Sequence, residues 1–349
     1  MLDKNYDVIV VGAGPAGCRT AELVAKKGFN VLVLEEHPDI GKPTQCTGLV
    51  SQRIGKLPKK IILNKIKVAR FCSGSGSFEI KSKKSVYVID RGKFDRQISE
   101  EAKKVGVNFK TSIRFLDFKN GEVVTSKGIY VTKILVGADG PNSSVARVSG
   151  IELPKNILSA VQVNVKSNFD PDTVELWFGS DIAPGLFAWV VPESSNKARV
   201  GLAADINPNK FFDRFFKKRI GNVKSDGRIG DAIRYGLIKK SVAENVLLVG
   251  DAACQIKPFS AGGLVYGQIG AKCAGEACVK ALEENDFSEK FLLENYDKKW
   301  KKELAGPIKK GLFMKRIFSK FGGKSFKLIK KLRMTKLSSV MDMDFLGKQ

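Results

Sequence analysis

Apolar residues fall in two rhythms along this chain, and the change of rhythm divides it. An unbroken apolar run from Tyr6 to Val11 leads into Gly12-Ala13-Gly14-Pro15-Ala16-Gly17, then a helix-like stretch, then a second apolar run closing at Glu35. Runs without polar alternation predict strands buried on both faces, as in a parallel sheet. The same pattern returns at Lys133–Gly137, before Ala138-Asp139-Gly140, and at Asn245–Val249, before Gly250-Asp251. Residues 157–206 instead alternate in period two with turn signals between them, which predicts an antiparallel sheet in a second domain. Shorter alternating runs over residues 57–84 surround the turn Ser73-Gly74-Ser75-Gly76-Ser77. A short strand is expected at Val86–Asp90 and an amphipathic helix from Arg91 to about Val105. Further strands are expected near 108–111, 115–118 and 122–125, and a small-residue helix over 265–282. The expected class is α/β. A Rossmann-like dinucleotide-binding domain built from 1–50, 85–155 and 241–290 is interleaved with an antiparallel β-sheet domain built from 51–84 and 156–240, and a basic helical segment follows over 291–349.

The opening unit carries specific chemistry. Gly12 permits the tight turn out of the strand, Gly14 lets the backbone approach a pyrophosphate, and Gly17 lets the helix pack onto the strand. The helix N-terminus then points unpaired amides at the phosphates. Glu35 stands 18 positions after Gly17, where a carboxylate accepts hydrogen bonds from an adenosine ribose. Asp251 and the turn Ser260-Ala261-Gly262-Gly263-Leu264 repeat this logic: a strand delivers a carboxylate and glycine-exposed amides to the mouth of the sheet. In the proline-bracketed strand Pro184–Pro192, period two puts Phe187 and Trp189 on one face, either as core or as the wall of a ligand site. The Gly/Pro-punctuated loop after Glu35 holds Cys46, placed to reach toward a bound cofactor.

Composition narrows the chemistry further. The six cysteines form no C-x-x-C pair, so a zinc site or disulfide framework is not expected, and most should be small buried packing residues. His37 is the single histidine, which leaves imidazole catalysis and metal ligation almost nothing to use; a solvent-facing loop role is expected for it. No apolar run approaches the ~18 residues that span a bilayer, and the N-terminus leads directly into a folding unit, so a cytoplasmic protein is expected. The formal net charge is +24, and between Lys298 and Lys336 fifteen Lys or Arg residues accompany one acid, Glu303. Such a tail suits an anionic membrane, an acidic partner, nucleic acid or simply a solvated surface. Phe313, Ile317 and Phe321, then Leu328 and Leu332, recur every four residues among the lysines, the pattern of a basic amphipathic helix lying on a membrane. A nucleic-acid reader motif is absent, and no nucleic-acid partner is expected.

Four signals stand in order: the glycine fingerprint with Glu35, Arg91 through Asp95, Ala138-Asp139-Gly140, and Gly250-Asp251. Together they resemble the two-domain FAD fold of the para-hydroxybenzoate hydroxylase type. Within it, the Pro43–Cys46 loop, the Pro184–Pro192 strand and the Gly262-Gly263 turn resemble the archaeal geranylgeranyl reductases over roughly residues 5 to 295. Pro184, Trp189 and Pro192 match that family's strand outright, with Phe187 where the family has Tyr. The resemblance implies that Gly12, Gly14, Ala16, Gly17 and Glu35 hold the ADP part of FAD. Arg91, Asp139 and Asp251 would line its middle, and Gly262, Gly263 and Leu264 would approach the isoalloxazine, with Cys46 and Thr47 over the ring. Phe187 and Trp189 would line a lipid tunnel. The implied activity is flavin-dependent saturation of C=C bonds in geranylgeranyl chains of isoprenoid membrane lipids, at the cytoplasmic face of the membrane; a flavin monooxygenase of the same fold is the alternative. Cys46 is either the proton donor or a packing contact on the ring. No second glycine fingerprint follows, so ferredoxin or transiently docked NAD(P)H would supply electrons.

Overall fold

The computed structural model describes residues 5–44, 46–331 and 344, with side chains described as far as Ile317, apart from Lys83, and for Asp344. In chain order the elements are β1 (Asn5–Val11), α1 (Pro15–Ala25), β2 (Val31–Leu34), β3 (Leu49–Val50), β4 (Ile62–Ser73) and β5 (Gly76–Ile89). Next come α2 (Arg91–Lys104), β6 (Asn108–Lys110), β7 (Phe115–Lys119), β8 (Glu122–Thr125), β9 (Gly128–Gly137), α3 (Ser144–Val148), β10 (Ile157–Lys166) and β11 (Thr173–Trp177). The remainder is β12 (Ala188–Ser194), β13 (Lys197–Ala204), α4 (Pro208–Arg219), β14 (Ser225–Arg234), β15 (Val242–Ala243), β16 (Val246–Leu248), α5 (Leu264–Glu284), α6 (Glu289–Leu292) and α7 (Lys298–Lys331).

Two sheets result. The first runs β15-β16-β9-β1-β2-β6, with β7 and β8 attached beyond β9. Its strands β16, β9, β1, β2 and β6 are all parallel, and the unbroken apolar runs of the first four are buried, as parallel strands covered on both faces require. Parallel strands end at one edge of a sheet, and the register places Val11 beside Leu34 and Gly137, and Gly137 beside Leu248. Gly12, Glu35, Ala138-Asp139 and Gly250-Asp251, scattered over 240 positions of sequence, therefore emerge side by side. Glycines in α5 allow close packing behind them; a Cβ on Gly275 would sit 2.7 Å from the Leu23 Cβ of α1.

The second sheet runs β14-β10-β13-β12-β11-β4-β5-β3. It is antiparallel as expected, except that β11 joins β4 in parallel. That pairing is non-local, and period-two alternation is blind to direction. The strand expected at Val86–Asp90 is the end of the fourteen-residue β5, and Leu49–Val50 pairs with it, so both segments lie in the second sheet and not in the first domain as the sequence boundaries had them.

The C-terminal segment departs most from expectation. Trp300, Leu304 and Ile308 of α7 are fully buried against the first domain's core. Gly311 rests on Pro258, where an added Cβ would meet its Cδ at 2.9 Å. Phe313 is 62% exposed and Ile317 half-buried, whereas the Phe321 and Leu328 side chains and Leu332 lie outside the described residues. The first turns of α7 thus spend one face on the fold. Among the described residues no helix is long and apolar enough to cross a membrane.

Candidate active site

One cavity of about 810 Å³ opens where the C-terminal edge of the first sheet meets the face of the second. All fifteen residues expected from sequence to form the site line it, except Gly17, which lies behind it. Gly12 has φ +103°, and a Cβ there would stand 2.4 Å from the Ala138 oxygen; a Cβ on Gly17 would stand 2.2 Å from the Gly12 oxygen. These two glycines are demanded by packing. Around Gly14, by contrast, no atom lies within 4 Å of an added Cβ. It caps α1 without a side-chain hydrogen bond, ahead of Pro15, so the first amides of the helix face the cavity. Ala16 packs its Cβ under Gly250.

At this end the Glu35 carboxylate accepts from the Ala13 N–H (2.9 Å) and the His37 N–H (2.9 Å). The expected solvent role for His37 is incomplete, because its Nδ1 lies 2.7 Å from Glu35 Oε1 and it lines the cavity. Asp139 also reaches the cavity, but its carboxylate is occupied: it accepts from Ser143 Oγ (2.6 Å) and from the N–H groups of Ser144 (2.7 Å) and Val145 (3.1 Å). It fixes the start of α3, and burial nevertheless pushes its carboxyl up. Asp251 is accessible from the cavity while protein surrounds it; this desolvation raises its pKa, opposed by Arg91. Gly263 crosses close above it, since a Cβ there would meet Asp251 Oδ1 at 2.5 Å. The uncapped N-terminus of α5 thus joins the cavity beside that carboxylate.

Arg91 grips Asp95 through two 3.1 Å bonds and also faces the Cys46 sulfur. Burial opposes its charge, but the Cys46 sulfur, when ionised, and the Asp95 carboxylate outweigh burial and hold the guanidinium well above its ordinary range. The Cys46 Sγ accepts from Gly48 N–H at 3.3 Å. The other five cysteines are buried, as expected, leaving Cys46 as the accessible thiol.

The loop carrying Cys46 is fastened by residues that sequence reasoning missed. Buried Arg199 donates to the Thr47 carbonyl (2.6 Å) and the Ile89 carbonyl (3.1 Å) while pairing with Glu193 (2.7 Å). Gln162 Oε1 accepts from Thr47 Oγ1 (2.8 Å) and from Trp189 Nε1 (3.1 Å). Trp189 lies flat on the sheet because Gly201 is beneath it; a Cβ there would be 2.6 Å from the indole. Phe187 meets Trp189 edge-on at 6.3 Å, and Phe178, Phe71 and Phe259 extend the aromatic wall. Phe187 and Trp189, under 9% exposed, belong to the buried core of the second sheet and also line the cavity.

Asp231, on the same wall, was also missed. Burial and nearby Asp251 push its carboxyl up from 3.8 to about 6, against the Ala232 N–H and Arg91. In the apo-protein the folded state therefore keeps a proton that the unfolded chain releases as pH rises from about 3.8 to about 6; that stabilisation is complete below the lower value and gone above the upper. Asp231→Asn should raise apo-protein stability by up to ~3 kcal/mol at neutral pH and leave it unchanged below pH ~4, measured by urea denaturation across pH.

A model of the geranylgeranyl reductase catalytic domain matches residues 156–233, and one of an NAD(P)-binding Rossmann-like domain matches 10–46. The digeranylgeranylglycerophospholipid reductase of Methanosarcina acetivorans is 32% identical, over 90% of this chain and 84% of its own. The chain belongs to the geranylgeranyl reductase family. An uncharacterised Methanocaldococcus jannaschii protein is 35% identical over 97% of this chain and 90% of its own. A geranylgeranyl bacteriochlorophyll reductase-like structure from Thermoplasma acidophilum superposes with a TM-score of 0.89 at 26% identity, covering 98% and 95% of the two chains. Like the geranylgeranyl reductases, this protein is an FAD-dependent oxidoreductase. The cavity fits that cofactor: the space in front of Gly14, the free amides of α1 and α5 and the backbone-held Glu35 form a cradle for a diphosphate with a ribose beyond it. Among the described residues no cluster suited to a metal ion occurs.

Proposed function

We propose that this reductase saturates C=C bonds in the geranylgeranyl chains of isoprenoid membrane lipids. The observation that carries this reading is the aromatic wall: a cavity whose far side is Phe71, Phe178, Phe187, Trp189 and Phe259 offers an unfunctionalised polyene apolar contact along its length and little for a small phenol. When bound, reduced FAD supplies a hydride to one olefin carbon. The remaining work falls to the protein. The aromatic wall holds the chain and excludes water, so proximity substitutes for the reactivity that an isolated olefin lacks. Cys46 Sγ delivers the proton to the other carbon, and the charge left on sulfur faces the Arg91 guanidinium. Arg199 and Gln162 fix the loop so that the thiol stays over the site. Glu35, with Gly12, Gly14 and Gly17, holds the adenosine diphosphate end, and Gly262, Gly263 and Leu264 bound the ring end.

The chain's fifteen cations over 298–336 and exposed Phe313 support docking on an anionic membrane at its cytoplasmic face, where the substrate resides. The electron donor is an acidic ferredoxin or transiently docked NAD(P)H. FAD binding is assigned chiefly to the first sheet with its helices, and isoprenoid binding to the face of the second sheet. The test is anaerobic turnover with dithionite and geranylgeranyl lipid in anionic vesicles, followed by mass spectrometry. Saturated chains, formed more slowly as salt rises, are expected; an oxygenated product appearing only in air would instead assign a monooxygenase.

A further inference from the structure

Asp344 lies far from every motif in the sequence, yet its side chain is fully buried beside the cavity. Its Oδ1 accepts from Lys257 Nζ at 2.9 Å, its other carboxylate oxygen accepts from Ser51 Oγ, and its backbone oxygen accepts from the Tyr266 hydroxyl. Lys257 is equally enclosed, at 5% side-chain exposure. Its aliphatic stem supports the loop that leads to Gly263: a Cβ on Gly262 would meet Lys257 Cε at 2.5 Å, and Lys257 N–H and C=O close the loop on Gly262 and Ala261. Ser51 follows β3, at the end of the loop that carries Cys46. One carboxylate from the C-terminal segment thus joins the two loops that bound the reacting end of the cavity, and it neutralises a buried ammonium there.

We propose that Asp344 is a positioning residue of the active site: by pairing with Lys257 it fixes the Lys257–Gly263 loop and cancels a positive charge that the flavin ring would otherwise feel. A buried ion pair contributes modest net stability, but removing one partner strands the other charge in a poorly solvated place. This inference rests on the proposed placement of the ring against the Gly262-Gly263 turn.

The test is the reduced-to-oxidised ratio of the holoenzyme flavin, poised anaerobically against a reference dye, in Asp344→Asn, Lys257→Met and the double variant. A stranded ammonium favours the more negative reduced flavin, so D344N should raise the ratio about tenfold. K257M should lower it, and the double variant, with neither charge, should return near wild type. If K257M shifts the ratio while D344N matches wild type, Asp344 does not balance Lys257 and the proposal fails. If none of the three variants shifts it, the ring does not lie against this loop, and the placement of the cofactor fails with it.

Discussion

Gly14→Val is expected to fold normally and to lose FAD, whereas Gly17→Ala, a smaller change three residues on, is expected to damage the fold. The difference lies in what occupies the space in front of each glycine. No protein atom lies within 4 Å of a Cβ at Gly14, so a valine there meets no obstacle until it reaches the diphosphate position. Pushing the diphosphate away costs its charge-assisted bonds to the amides of α1, each on the order of 1.5–3 kcal/mol, so two lost bonds weaken FAD by about 100-fold or more. A Cβ on Gly17 would lie 2.2 Å from the Gly12 oxygen, well inside contact distance. The strand-to-helix junction must then shift, at about 1–3 kcal/mol of overpacking strain. Flavin absorbance after gel filtration, with urea denaturation of the apo-proteins, separates the two effects. Full FAD retention by Gly14→Val would contradict the assignment of that space.

Cys46→Ala should retain FAD and reduce the rate of olefin reduction by about 10²–10⁴-fold, the usual contribution of a positioned proton donor. The thiol is the accessible one of six, it faces the Arg91 guanidinium, and two independent tethers hold its loop. Cys46→Ser, with a weaker acid in the same place, should fall between alanine and wild type. Stopped-flow reoxidation of the reduced enzyme by geranylgeranyl lipid measures the step. A near-wild-type rate in the alanine variant would leave Cys46 a packing contact.

The adenosine end of the site was legible in sequence because its requirements are local. Gly12 and Gly17 answer to backbone geometry within one turn, and Glu35 sits at a fixed remove from them. Phe187 and Trp189 were legible for a similar reason, since period two fixes their common face, although whether that face was core or cavity was not. Asp139 was found, but its motif revealed only a carboxylate at the sheet edge, not that Ser143 and the α3 amides would occupy it. Gln162, Arg199, Asp231 and Asp344 were missed because each acts through partners remote in sequence; Gln162 and Thr47 are 115 positions apart, and Asp344 and Ser51 are 293 apart. The start of α7 was hidden by its charge. Its lysines advertised a surface helix, while Trp300, Leu304 and Ile308, spaced by four, supplied the face that the fold buries.

This cavity is expected to pass reducing equivalents to the olefins of a geranylgeranyl chain. The most direct measurement is a single turnover of dithionite-free reduced holoenzyme without oxygen, recording flavin reoxidation and lipid mass together. One double bond should be saturated for each flavin reoxidised, and a fully saturated lipid of the same headgroup should leave the flavin reduced. Flavin that stays reduced in the presence of the unsaturated lipid, or reoxidises without saturating it, would contradict the claim.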